Sequence, residues 1–430
     1  MYKVLYYIGQ QLRNPSINKW LKFLKESDGW SREDLEAHQW NEFKKICDLA
    51  YQYSPFYKEF WDKSHFHPDM LKCLDDVQKI PILEKAQLLT NVASIHTNRF
   101  FKQTYTATTS GSTGDSLQFK RDESADSFNR AAIQRGYSWY QVHPWEFSGY
   151  FWGFDFKVWE QFKTRLLDRL QNRYRIFSYN EHSFKKFVKK IEKARYLSGY
   201  SSMLYDTAKL INSQQLEKPK QLKLVVGTSE KIFEAYQEEA LKAYGSKIIS
   251  EYGATEAGII AFECPEGHMH ITMEGVLVEE VNKEILVSNL VMQSFPLIRY
   301  RLGDYVKLAP KEFSCSCGRN HRIIEEVTGR VGALIQGKGQ QYPSLYCYYI
   351  FKNLAAKSKL ILNYQAIQEE KGKLKLLIEQ ALTEDEKLLL LKACENYFKK
   401  DLEIEIIDSY QAASRNQKVN SFISRIKNET

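Results

Sequence analysis

Seven consecutive residues, Thr108, Thr109, Ser110, Gly111, Ser112, Thr113 and Gly114, are all glycine or small hydroxyl. Such a run adds little to a core, but its glycines let backbone N–H groups point into one concavity and its hydroxyls add donors, so it can cradle phosphate oxygens. Serine and glycine also make flexible surface linkers, and the run alone does not separate the two readings. A second segment, from Ser250 through Glu251, Tyr252, Gly253, Ala254 and Thr255 to Glu256, follows the strand-like run KII. It combines an aromatic face for a base, a glycine, a hydroxyl donor and a carboxylate able to hold Mg²⁺, at a strand end where open α/β sheets place ligands. In a third, Arg299, Tyr300, Arg301, Leu302 and Gly303 lead to Asp304, a carboxylate on a glycine turn suited to a ribose diol. Lys418, in SRNQKVNSFI, is a late cation. Each has a plainer account on its own: a capped strand, a surface turn, a solvated lysine.

Cys264 and His270 form a C-x5-H pair, and Cys315 with Cys317 a C-x-C pair, on the two sides of a strand-rich stretch. Together they offer four ligands of the kind tetrahedral Zn²⁺ takes, with no open position, so that such a zinc would be structural. Three free thiols are the alternative. The other cysteines, Cys47, Cys73, Cys347 and Cys394, have apolar neighbours and are expected to be buried. Gly332 to Lys338 imitates the start of a nucleotide-binding P-loop, but Gly339 stands where a Mg²⁺-binding Ser or Thr is needed and QQYP opens no helix.

The elements that position these groups can be read coarsely. Residues 1–100 are mainly helical and rich in aromatics, a packing scaffold. From about 149 to 252, β-rich runs (YFWGF, YLSGY, LKLVVGT, KIISEYG) alternate with helical ones, the pattern of a helix-covered βαβ sheet. VLVEEVN and KEILVSNL then suggest a hairpin within a strand-rich stretch over 271–308. After Gly329 the pattern restarts as a small α+β unit, with KLKLLIEQ and LEIEIID as strands around TEDEKLLLLKACENYFKK. The fold class is therefore α/β, with a boundary near Arg330.

The 430 residues are 43% hydrophobic and 27% charged, an ordinary globular composition. The longest aliphatic run is four leucines from Leu388, so no membrane span is expected. The N-terminal sequence lacks the apolar stretch and cleavage site of a secretory signal, and a cytoplasmic location is expected. A net charge of +8 is a mild excess, and no nucleic-acid partner is expected. Lys185, Lys186, Lys189, Lys190 and Lys193 alternate with Phe184, Phe187, Val188 and Ile191 at helical spacing, which reads as a solvated lysine face rather than a polyanion site.

Taken in order, T-S-G-S-T-G, T-S-E (Thr228, Ser229, Glu230), Y-G-x-T-E, I-R-Y-R-x-G-D, T-G-R (Thr328, Gly329, Arg330) and a late lysine before V-x-x-F resemble the adenylate-forming (ANL) enzymes. The likeness is to the phenylacetate-CoA ligase and capsular polysaccharide biosynthesis branch. It extends upstream to LAYQYSPFYKEF, DDVQKIPILEK and YFWG, and so spans nearly the whole chain. The resemblance implies the ANL fold: a large N-terminal domain of layered sheets and helices over 1–329, and a small mobile α+β lid over 330–430. It implies that Thr109, Ser110, Gly111, Ser112, Thr113 and Gly114 hold the ATP phosphates and that Ser229 and Glu230 lie beside the adenine. Tyr252 and Gly253 would pack on that base, Thr255 would touch a phosphate and Glu256 would coordinate Mg²⁺. Asp304, helped by Arg330, would bind the ribose, and Lys418 would reach the carboxylate and α-phosphate. The family pattern also selects His270 over His268 as the fourth zinc ligand.

The activity so implied is ATP-dependent activation of a small carboxylic acid as an acyl-adenylate and its transfer to an acceptor: coenzyme A, an amine, or a hydroxyl on a sugar precursor. The capsule-type likeness tilts this toward cell-surface (capsular or O-antigen) polysaccharide assembly, and a homodimer is compatible with it. Tyr150, Trp152, Phe154 and residues near Ala254 would line a partly apolar acid pocket. Four departures stand against the pattern. After Thr328, Gly329 and Arg330 the chain has Val331, Gly332 and Ala333 where the family has one residue and then two hinge aspartates. Gln417 replaces the glycine before the lysine, Ala413 or Ser414 a proline upstream, and Ser201 and Ser202 stand where the family often has Pro-Ser. They bear on the thioester-forming half-reaction more than on adenylation, and leave a second reading: a degenerate, non-catalytic homologue serving as a binding or scaffold subunit.

Overall fold

The computed structural model describes residues 2–109, 117–151, 158–176, 181–330, 334–410 and 421–426. Ser110, Gly111, Ser112, Thr113, Gly114, Trp152, Phe154, Val331, Gly332, Ala333, Ala413, Ser414, Gln417 and Lys418 lie outside the described residues.

Helices fill the chain up to residue 95, as the periodicity predicts. In Arg32–Tyr53 the hydroxyl of Ser31 caps the N–H of Asp34, and Glu33 and Asp34 meet the positive end of the helix. Leu35, Phe43, Ile46, Cys47 and Ala50 recur on its buried face. Pro55 opens the next helix, Pro55–Lys63, where its missing N–H costs nothing. This layer packs Phe43, Tyr57 and Trp61 into one core with Val276, Ile285, Val287 and Tyr300 of the main sheet. Cys47, Cys347 and Cys394 are buried as expected, but Cys73 is exposed. Cys73 stands just before the 3-10 turn Leu74–Lys79 and gives its N–H to Asp76, while Leu71 and Val77 take the core positions on either side.

Among the described residues the main sheet has eleven strands. Its parallel half runs Arg173–Arg175, Ser148–Phe151, Tyr196–Tyr200, Leu224–Thr228 and Ile249–Ala254, joined by helical crossovers. Leu224, Val225 and Val226 are buried in succession, as a strand covered on both faces requires. Ile249–Ala254 is parallel to one neighbour and antiparallel to the next, Gly258–Glu263, and from there the sheet continues antiparallel through Met269–Ile271, Ile323–Arg330, Tyr300–Leu308, Glu284–Asn289 and Val276–Val281. The hairpin expected from VLVEEVN and KEILVSNL closes through Asn282 and Lys283, both at positive φ (53° and 67°), as a two-residue hairpin turn demands.

After residue 334 a separate four-stranded sheet, ordered Glu403–Ile407, Lys373–Ile378, Tyr364–Gln368 and Phe422–Ser424, packs with helices Leu345–Ser358 and Glu384–Phe398 around its own core of Ile350, Leu374, Leu376, Leu390 and Phe398. A capping box between Thr383 and Glu386 starts the second of these helices. The described part of the P-loop imitation belongs to a hairpin: residues 337–340 join Leu334–Gln336 to Gln341–Pro343. This unit touches the larger body through the rings of Phe233 and Tyr364 (5.5 Å) and an ion pair of Lys209 with Glu379. The lysine-rich helix, Glu181–Lys190, buries Phe187 and Val188 and turns its lysines to solvent. No helix among the described residues is long and apolar enough to cross a membrane.

Candidate functional site

Of the groups singled out by the sequence, Ser229, Glu230, Tyr252 and Asp304 lie about the ends of two adjacent parallel strands. Thr228 closes one strand and pairs with Glu251 on the next. Ser229, immediately beyond, is held at φ 65°, a left-handed conformation that a serine adopts only when its surroundings impose it. Glu230 follows and accepts the backbone N–H of Ser202 at 2.9 Å, so its carboxylate sits on the N-terminus of helix Ser201–Ser213. One strand over, the hydroxyl of Tyr252 donates to the Asp304 carboxylate at 2.9 Å. In hydrogen-bonding order three strands separate these two residues, so the antiparallel half of the sheet curls to bring them together. Asp304 lies opposite Arg330 on the neighbouring strand. Gly303 makes no turn: it sits inside the strand Tyr300–Leu308 at φ 85°, in an irregular stretch where residues 301–305 oppose only 284–286, and this bulge re-aims Asp304.

Thr255 and Glu256 occupy the turn between Ile249–Ala254 and Gly258–Glu263, Thr255 exposed and Glu256 half-buried. Thr109 stands at the neck of the hydroxyl-rich segment. It exchanges hydrogen bonds with Leu117, its N–H to the Leu117 carbonyl and its Oγ1 accepting the Leu117 N–H, each at 2.9 Å. The flanking strands Thr104–Thr108 and Gln118–Asp122 pair in register, and Ala107, Leu117 and Phe119 pack in the same apolar cluster as Tyr252 and Ala254. The neck of one segment and the aromatic of the other thus share a single packed body.

Three further groups escape a reading of motifs. Arg121 gives a guanidinium N–H to the Thr255 carbonyl and pairs with Asp126 at 3.4 Å, tying the hairpin to the 255–257 turn. Lys231, next to Glu230, donates to the Thr328 carbonyl (3.2 Å) and lies 2.9 Å from the ring centre of Tyr348, so it bridges the strand end to helix Leu345–Ser358. Glu251, beside Tyr252, is pushed up from 4.5 to about 7 by burial, with its bond to Thr228 opposing. Of the aromatic residues expected to line an acid pocket, Tyr150 is described: it packs under Arg173 and Arg175, 4.3 and 4.6 Å from its ring centre, and both arginines hold Asp168.

Cys264, His270, Cys315 and Cys317 converge, their ligand atoms all within 4.8 Å of one another. Cys264 and Cys315 bring their Sγ atoms to 3.7 Å, and Cys317 Sγ lies 3.3 Å from His270 Nε2. Tetrahedral bonds of about 2.3 Å to sulfur require sulfurs about 3.8 Å apart, so the cage has the dimensions of a zinc site. Burial, aided by His321, Arg319 and His268, holds His270 down to about 3, leaving the neutral imidazole that metals bind. His268 is turned toward Cys315 Sγ (3.3 Å) but is outside the four-residue group.

No protein-family model matches the sequence, and no curated protein matches it either. Solved structures do match in fold. A 2-hydroxyisobutyryl-CoA ligase in the postadenylation state, in complex with R3-HIB-AMP, is 14% identical, with 93% of this chain and 91% of that one covered at a TM-score of 0.71. The same ligase in an open conformation with 2-HIB-AMP and CoA gives 0.62 (14% identity, 92% and 93% covered). In the thioesterification state it gives 0.60 (16%, 93% and 91%). The chain has the α/β fold of these acyl-CoA ligases.

Proposed function

We propose that this protein activates a carboxylic acid with ATP as an acyl-adenylate and passes the acyl group to an acceptor. The observation that carries this reading is the contact of Tyr252 with Asp304, a flat aromatic and a carboxylate spaced for a base and its ribose, at the mouth of a parallel sheet. The fold shared with a ligase solved with acyl-AMP ligands supports it. Ser229 and Glu230 would border the adenine, Arg330 would assist Asp304, and the segment from Thr109 through Ser110, Gly111, Ser112 and Thr113 to Gly114 would hold the phosphates.

A carboxylate is a poor electrophile. Attack of its oxygen on the α-phosphorus expels pyrophosphate and leaves the acyl carbon on a good leaving group, while negative charge builds on phosphate oxygens. Thr255 and the backbone N–H groups of the hydroxyl-rich segment would donate to those oxygens, and Lys418 would add the positive charge from the 330–430 unit. Mg²⁺ held by Glu256 would neutralise further charge when bound. Tyr150, with Trp152 and Phe154 from the same segment, would line a partly apolar acid pocket. Zn²⁺ at Cys264, His270, Cys315 and Cys317 would pin two chain segments together, since its four protein ligands leave no position for substrate. For the acceptor we favour coenzyme A or a group on a surface-polysaccharide precursor, within a cytoplasmic pathway.

Acid-dependent exchange of pyrophosphate into ATP across a panel of acids tests the proposal. Absence of exchange with every acid, together with no ATP binding by calorimetry, removes it. Lys418→Ala separates an enzyme from a degenerate scaffold: an enzyme loses adenylation by roughly 100-fold or more, whereas a scaffold keeps its cellular role.

A further inference from the structure

Two neighbouring helices wear their aliphatic residues on the outside. In Tyr2–Arg13, the side chains of Val4, Leu5, Ile8 and Leu12 fall within an arc of about 100° on a helical wheel. They are 60%, 39%, 54% and 77% exposed. The opposite face, with Tyr2, Tyr6 and Gln10, is the one turned inward. Tyr6 and Tyr7 lean on Trp145, at 6.4 and 5.1 Å between ring centres, and Lys3 lies over the same ring at 5.3 Å. Both polar atoms of Gln10 are buried with no hydrogen-bond partner among the described residues. Burying an amide while four aliphatic side chains face water is an unfavourable orientation for a helix whose outer face stays wet.

Helix Val158–Leu170, packed beside it, repeats the inversion. Phe162, Leu166 and Leu170 advance along one outer stripe with Leu167 beside it, and they are 64%, 54%, 43% and 46% exposed. Its inner face carries Asp168, buried and held by Arg173 at 2.6 Å and Arg175 at 2.8 Å. Two adjacent helices inverted in the same sense make a contiguous apolar patch, and such patches mark interaction sites.

Charge indicates the occupant. The exposed cations that border the apolar stripe are those of Val158–Leu170, Lys163, Arg165 and Arg169, whereas Lys3 lies over Trp145 and Arg13 over Tyr105; Asp168 is already enclosed by its own arginines. Apolar residues rimmed by cations match the boundary of an anionic bilayer, where acyl chains accept the first and phosphate headgroups the second. A second copy fits poorly, because a two-fold contact would set the same cations against each other. We propose that helices Tyr2–Arg13 and Val158–Leu170 form a docking face for an anionic phospholipid surface, lying in its interfacial plane without crossing it.

Co-sedimentation of the full chain with vesicles of phosphatidylcholine alone, or mixed with phosphatidylglycerol, tests this. Binding is expected to the mixed vesicles, ~10-fold or more tighter than to the neutral ones and weakening with salt. The pair Ile8→Glu and Phe162→Glu should lower it by ~10-fold or more, with thermal unfolding midpoint unchanged. Lys163→Glu with Arg169→Glu, which leaves the apolar stripe intact, should lower binding to the mixed vesicles only. Leu241→Glu, at an exposed leucine on a different helix, should have no effect. No binding to the mixed vesicles, equal binding to both kinds, or binding unaltered in Ile8→Glu/Phe162→Glu overturns the proposal. So does self-association in gel filtration that the same pair abolishes without any vesicle binding, which would give the face to a second copy.

Discussion

Substituting Glu251 by glutamine should stabilise the protein above about pH 4.5, with the full effect reached from about pH 7. The carboxyl lies beside Tyr252 at the end of a parallel strand, and burial raises it from 4.5 to about 7 while Thr228 hydrogen-bonds it. A group raised in the folded state binds its proton more tightly there than in the unfolded chain, so stability is fully present below about 4.5 and is lost as pH climbs to about 7. At ~1.4 kcal/mol for each tenfold change in proton affinity, that rise amounts to roughly 3 kcal/mol, the cost of ionising the buried carboxyl in place. Glutamine keeps the shape and the hydrogen bond to Thr228 but has no proton to lose. Unfolding midpoints of both proteins measured from pH 4 to pH 8.5 should nearly coincide at the acid end. They should separate between about pH 4.5 and 7 and stay apart above that, with Glu251→Gln the more stable by about 3 kcal/mol at pH 8. A difference independent of pH, or a less stable variant at pH 8, would show that Glu251 is not buried as an ionisable carboxyl and would refute the reasoning.

Asp304→Ala removes the acceptor of the Tyr252 hydroxyl and the carboxylate assigned to the ribose. Losing charge-assisted hydrogen bonds worth about 1.5–3 kcal/mol should weaken ATP binding roughly 10- to 100-fold by calorimetry, with the unfolding midpoint little changed. Cys317→Ser should lower the metal content of the purified protein from one zinc per chain toward none, as read by mass spectrometry of the metal. A chelator should lower the unfolding midpoint of the unsubstituted protein but not of the variant. Arg135→Met leaves Glu274 in the interior without the guanidinium that, at 2.6 Å and with His321 at 2.9 Å, holds its carboxyl well below the usual range against its burial. Destabilisation by about 3–5 kcal/mol is expected in denaturant titration, and Arg135→Met combined with Glu274→Met should recover most of it.

The parts of this fold that could be read in the sequence are those where one local pattern has one physical solution. Alternating apolar residues around Asn282 and Lys283 can close only as a hairpin, and the β–α alternation from 149 to 252 can bury its strands only as a helix-covered parallel sheet. The P-loop imitation failed for an equally local reason, the absence of a following helix. Partners fixed by tertiary curvature were beyond that reach. Tyr252 and Asp304 are 52 residues apart, and nothing between them announces that three intervening strands will bend them into contact. Gly303 was legible as a glycine needing unusual backbone but not as a bulge, because a bulge exists only relative to the strand opposite. Cys47 and Cys73 have similar neighbours in sequence, yet only the first points from a helix into the core. Glu251 passed as a polar residue beside a motif, since its raised proton affinity comes from walls supplied by other strands. Helical periodicity over residues 1–100 does not say which side of a helix faces outward, so the exposed stripe of Val4, Ile8 and Leu12 is known only from the structure.

The most direct test of a nucleotide held jointly by these distant segments is a crystal structure of the protein with ATP and Mg²⁺. Adenine stacked against Tyr252, with the ribose hydroxyls within hydrogen-bonding distance of Asp304 and the phosphates directed toward Thr109 and the segment after it, is the expected result. A nucleotide bound elsewhere on the molecule, or a Tyr252–Asp304 pair that stays closed and empty at saturating ATP, would contradict it.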